Sequence, residues 1–323
     1  MITFTILIMN ILLLLVLLHF AACTPIVNKS SAAYITNQGD NTVSVLDIKT
    51  AKVSHTIQVG KAPVGVAVSR KLKRVFISNV ESSNISVIDS QTNQIVDTIN
   101  TGGSPVGIAL ASNHHALYVA DWYSDRILEI DTSNYTKRRE VIVAKAPAGL
   151  VVSADSKTLY VAARDSNEIA VIDTTTMTIA KRIAVGKHPF GVSLSSDGST
   201  LYVVNVYENS VSMVNIKTWQ QTKVKVGEHP YCAVASTDNK TLYVTNTQDD
   251  TVSIIDLATQ KTLATIEVGM TPEGISYDAA AKLVFVASWG ENKVSVIDAS
   301  TNKLKGHIKT GDRSRAFGQF ILQ

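Results

Sequence analysis

An aromatic residue set among small and β-branched neighbours returns seven times along this chain of 323 residues, at Tyr34, Phe76, Tyr118, Tyr160, Tyr202, Tyr243 and Phe285. The intervals are 42, 42, 42, 42, 41 and 42 residues. A unit of this length cannot bury its own apolar face, so neighbouring copies must stack. Each copy has the same parts. A short apolar strand such as Leu242-Tyr243-Val244 is followed by a polar loop and an alternating strand such as Thr251-Val252-Ser253-Ile254-Ile255. A third strand like 261–268, a Gly-x-x-Pro-x-Gly linker and a fourth strand like 191–195 complete the unit. Period-2 alternation of β-branched residues between turn residues predicts half-buried strands rather than helices.

Four strands per repeat match a propeller blade, so the expected fold is all-β: a seven-bladed β-propeller forming one domain over residues 33–323. The first repeat lacks an innermost strand, and a surplus strand lies at the other end, in 316–322. The C-terminus is therefore expected to complete the first blade and close the ring, removing the open gap between first and last blades. Every proline but Pro25 falls in a linker (Pro63, Pro105, Pro147, Pro189, Pro230, Pro272), which reads as a connection between blades with its glycines free to take positive φ. Asp47, Asp89, Asp131, Asp173, Asn215, Asp256 and Asp298 each stand 13 residues after the aromatic. A ring of acids invites a metal reading, but side chains of this type close hairpins by accepting backbone N–H groups two residues on, and that reading is preferred.

Tyr243-Val244-Thr245-Asn246 spells the YVTN signature, and Val-Ile-Asp and Val-Gly-x-x-Pro-x-Gly elements recur around it. From Ala33 to Gln323 the chain resembles the YVTN-repeat (YncE-like) seven-bladed propellers. Relatives of that shape include binding proteins, lactonases and redox-enzyme subunits, so the resemblance implies a fold and leaves function to the site.

The N-terminus is built differently. Residues 6–20 are almost wholly apolar and run into Phe20-Ala21-Ala22-Cys23. This pattern marks an export signal over residues 1–22, and it resembles a bacterial lipobox in which Cys23 becomes the lipidated first residue. The match departs in two places, since no Lys or Arg precedes the apolar run and Phe20 stands where Leu is usual; an uncleaved anchor is the alternative. Residues 23–32 then form a tether, and the expected location is the cell envelope, with the domain facing the periplasm or exterior. The only other cysteine is Cys232, so no disulfide framework is expected and stability must come from packing. A net charge of +3 with the two signs interspersed gives no basic groove and argues against nucleic acid.

No nucleophile elbow, HExxH, CxxC, CxxCH, Walker or EF-hand pattern is present. The repeats offer another route: where copies differ at one position, the fold does not require that residue. Before the linker proline stand Ala62, Ser104, Ala146, His188, His229 and Thr271, with Arg313 at the equivalent place; after it stand Val64, Val106, Ala148, Phe190, Tyr231, Glu273 and Arg315. Small residues occupy one side of the ring, and imidazoles, aromatics and charges the other. Loops expected on the same face add Trp122, Tyr123, Arg164, Tyr207 and Trp289. Exposed aromatics beside Arg and His suit ligand or protein contact.

The expectation is a monomeric binding module, not an enzyme, that recognises a protein or small molecule on this face and needs no cofactor. Two rivals remain. One is a redox-associated propeller in which His188, His229 and Cys232 hold a metal or a haem-like group. The other is a lactonase-like hydrolase using Glu273, His229 and Arg313. His114, His115 and Trp219 are expected on the opposite face, the histidines solvated.

Overall fold

The strands assemble into seven antiparallel sheets arranged as blades of a closed ring, in a computed structural model that describes residues 31–322. Blade 1 holds residues 32–58 and receives its innermost strand from Ile321–Leu322. Blades 2 to 7 follow in chain order as residues 63–100, 105–142, 147–184, 189–225, 230–267 and 272–309. In each, the chain runs from the innermost strand outward. The ring closes within residues 31–322. The proposed signal segment and Cys23 lie outside the described residues, and among those described no helix is long and apolar enough to cross a membrane. Ala32, expected to belong to a tether, instead lies in the first strand, paired with Asp47 and Leu322.

Alternation places the second and third strands of each blade against both neighbouring blades. The seven repeat aromatics are at most 3% exposed. Burying a side chain of that size stabilises by roughly 1.5–3 kcal/mol, so the repeat signature is chiefly a packing signature. All seven acid or amide positions close turns: Asp47, Asp89, Asp131, Asp173, Asn215, Asp256 and Asp298 accept backbone N–H groups two or three residues ahead at 2.7–3.0 Å.

Three details differ from the sequence reading. The linker prolines are the first residues of the inner strands, not connecting residues; Pro63, for example, faces Asn79 across the ladder. Proline is tolerated there because a first residue need not donate to the ladder. Only Gly102 (φ 69°), in the linker ahead of Pro105, supplies the positive φ expected of the linker glycines. In the other linkers that conformation falls on the residue before the proline, including His188 (φ 52°), His229 (48°) and Thr271 (52°), and on Arg313 (55°) at the equivalent place ahead of Ser314. The glycine is needed for space, since a Cβ on Gly186 would lie 2.4 Å from Cγ of Asn205.

The closing strand is also split. Ile321–Leu322 pairs antiparallel with blade 1, while Phe317–Gly318 swings across to pair parallel with Gly65 and Val66 of blade 2. Gly318 makes the bend at φ 109°, where a side chain would be strained.

Candidate functional site

One face of the ring is formed by the linkers and by the turns between second and third strands. Its backbone is pinned by a repeated device. Asn41, Asp125, Asn167, Asn209, Asp250 and Asn292 accept the N–H of Ala62, Ala146, His188, His229, Thr271 and Arg313 at 2.8–3.0 Å. The carbonyls of His188, His229 and Thr271 in turn accept N–H groups from Val206, Thr247 and Trp289 in the adjacent turn. Left-handed backbone costs a non-glycine residue on the order of 1 kcal/mol, and bonds on both sides hold it in place. His188, His229 and Arg313 are thus presented from a rigid frame.

The residues two places further on converge at the channel mouth. Phe190 packs on Tyr231 and Phe317 with ring centroids 4.2 and 5.1 Å away, and Trp122 lies 5.9 Å from Phe190 on its outer side. Val64, Ala148 and Cys232 join the same apolar cluster. Glu273, 8% exposed, is ion-paired with Arg315. Arg315 also donates to the Tyr231 hydroxyl (2.7 Å) and reaches Gln38 Oε1 at 3.4 Å, which accepts the Trp289 indole N–H at 3.0 Å. Burial pushes the Glu273 carboxyl up and Arg315 opposes it. Burial works against the Arg315 charge, but Glu273 and Tyr231 hold the guanidinium protonated. One residue of the closing segment therefore ties blades 6, 7 and 1 together. Phe190, Tyr231, Glu273 and Arg315, expected as ligand-contact residues, pack and pair with one another as a plug across the mouth.

The remaining predicted residues form a rim around the plug. The Arg164 guanidinium lies 5.7 Å from the Trp122 ring and 5.8 Å from the Tyr207 ring, and it pairs with Asp165 at 2.6 Å. Tyr207 packs against His188 at 4.3 Å and His229 at 5.3 Å, joining blades 3 to 6 in one array. Tyr207 remains 53% exposed and Tyr123 80%. On the far side Arg313 lies over Trp289 at 5.2 Å.

The two rival residue sets are dispersed. His188 and His229 meet through the Tyr207 ring, His188 Nδ1 is 3.8 Å from Asp165, and Cys232 is buried in the plug cluster with its thiol pushed up by burial. Among the described residues no three His, Cys, Asp or Glu side chains gather where an ion could sit. Glu273, His229 and Arg313 are each engaged elsewhere, with Arg315, Tyr207 and Trp289. His114, expected to be solvated, is half-buried, hydrogen-bonded to Ser69 Oγ at 3.0 Å and facing the central cavity.

Sequence reasoning missed Gln38 and Phe317. Gln38 occupies the repeat position of Trp122, Arg164 and Trp289, so the same comparison of copies could have found it. Phe317 follows a linker that has Ser314 in place of proline, and nothing in its repeat position marks it.

Residues 192–302 match the family of YNCE-like beta-propellers, and residues 129–222 match that of seven-bladed lactonase propellers. Comparison with curated proteins gave no match. Among solved structures, the chain is similar to Kuenenia stuttgartiensis hydrazine synthase, with 21% identity, 82% of this chain and 91% of that one covered, and a TM-score of 0.76. A functionally unknown protein from Desulfotomaculum acetoxidans shares 13% identity over 90% of this chain and all of that one, with a TM-score of 0.77. A putative 6-phosphogluconolactonase from Bacteroides uniformis shares 14% identity over 88% and 98%, with a TM-score of 0.76. At these identities the likeness is one of fold.

Proposed function

We propose that this seven-bladed propeller is an exported, lipid-anchored binding module of the cell envelope. It is tethered through Cys23 and docks a partner protein or small ligand on the rim of its linker face. The observation that carries this reading is the continuous array of Trp122, Arg164, Tyr207, His188 and His229, capped by exposed Tyr207 and Tyr123. Rigid aromatics give contact area at low entropic cost, and Arg adds directional hydrogen bonds. The sealed mouth beneath turns the face into a shallow platform, which suits docking better than turnover.

The test replaces Tyr207 with a photoreactive benzoylphenylalanine in the producing cells, with the same substitution at Trp219 on the opposite face as control. A discrete higher-mass adduct from position 207 alone is expected; equal adducts from both positions, or none from 207, overturn the reading. The lactonase match over residues 129–222 supports a second reading, hydrolysis of a sugar lactone. Turnover lost in His229→Ala would favour it over docking.

A further inference from the structure

Behind the plug lies a cavity of about 280 Å³ on the ring axis. Its wall is the inner strands of blades 2 to 7 together with Phe317, Gly318 and Gln319. We propose that this cavity is a binding site for an uncharged, mainly apolar small molecule bearing one or two hydrogen-bonding groups, admitted from the face that carries His114.

The volume, lining and strand edges of the cavity lead there. The volume lies near the lower end of the roughly 300–1,000 Å³ of small-molecule pockets. No Asp, Glu, Lys or Arg lines it, so an ion entering would lose its hydration without a counter-charge. Burial and the charges of Lys71 and His115 hold His114 below the ordinary histidine range, so the one imidazole in the wall favours its neutral form. The inner strands of blades 3 to 7 are the last strands of their sheets, so their outer row of N–H and C=O groups faces the axis with no strand beside it. The buried Ser193 hydroxyl in this wall also lacks a partner among the described residues. Apolar side chains such as Leu110, Leu150 and Val192 supply the remaining surface. The plug makes the cavity blind at the linker face, so occupancy here is independent of docking on the rim.

The probe is N-phenylnaphthylamine, a neutral fluorophore with one N–H, titrated into residues 31–323. A saturable fluorescence rise at one probe per chain is expected, with anionic anilinonaphthalene sulfonate binding about tenfold or more weakly. Ser193→Phe and Ala109→Leu, each narrowing the cavity from a different blade, should weaken the probe about tenfold, and Tyr207→Ala should leave it unchanged. Amide NMR shifts in the wild-type chain, clustered at 107–111 and 191–193, locate the probe even if a variant fails to fold. No saturable binding, stronger binding of the anion, shifts confined to the rim or outer strands, or unchanged affinity in both folded variants would each overturn the proposal.

Discussion

At the linker face the channel mouth is filled by Phe190, Tyr231 and Phe317 and crossed by the Glu273–Arg315 pair, whereas at the opposite face the cavity reaches His114 and the aspartate turns lie further out, between the third and outermost strands. One end is held by packing and a buried charge pair. The other is held by carboxylates at the surface that accept backbone N–H groups. The difference teaches that a ring of near-identical blades acquires two unlike ends, because linkers meet at the axis while hairpin turns remain in solvent.

The largest effect should come from Arg315→Met. It leaves Glu273 buried beside a phenol without its counter-charge, and breaking such a pair costs roughly 3–5 kcal/mol. Urea denaturation reads it, and Glu273→Leu combined with Arg315→Met should recover most of the loss. Next is Thr245→Val. The Thr245 hydroxyl accepts the Cys232 N–H at 3.0 Å and donates to the Glu273 carbonyl at 3.1 Å, bridging blades 6 and 7 beneath the mouth. Losing it should cost roughly 1–3 kcal/mol. Val204 already occupies this repeat position in blade 5, so the lower end of that range is expected.

The aspartate-turn end should answer to acid. Hydrogen bonds from the Ser133 hydroxyl and N–H, and from Arg138, hold the Asp131 carboxyl down from the ordinary 3.8 to about 2. The folded chain therefore binds this proton more weakly than the unfolded chain does. The contribution is present above about pH 4 and is lost as pH falls through about 2. Asp131→Asn, an amide like the natural Asn215, should flatten the acid limb of thermal stability measured between pH 5 and 2, with little change at neutral pH. Arg315→Met should keep the Asp131 contribution, while the unpaired Glu273, pushed up further by burial, adds stability towards acid. The smallest effect on stability belongs to Tyr207→Ala at the rim, within about 0.5 kcal/mol, because its ring is half in solvent.

Much of the fold could be read in advance because its determinants are local and repeated. The interval between Tyr34 and Phe285, the alternation in strands such as 251–255 and the aspartate turns each report on a few neighbouring residues. The closing strand was legible in outline, from the blade it had to complete. Its split at Gly318 was not, since pairing with blade 2 is a contact between residues some 250 positions apart. Comparing copies also singled out Arg164, Trp122, Arg313 and Trp289, whose side chains contact one another or their neighbours on the rim of the linker face. The same comparison could not separate rim from plug. Phe190 and Arg164 stand out equally in their repeats, yet one is sealed in the mouth and the other faces outward.

By itself, the sequence determined the number of blades, the strand order within them and the face on which the unusual residues gather, because periodicity and turn chemistry act over short separations. Only the tertiary structure decided that Glu273 and Arg315 neutralise each other, that Tyr207 joins His188 to His229, and that the axis ends blind on one side. Those outcomes depend on distances across the ring, which exist only once seven blades have closed around it.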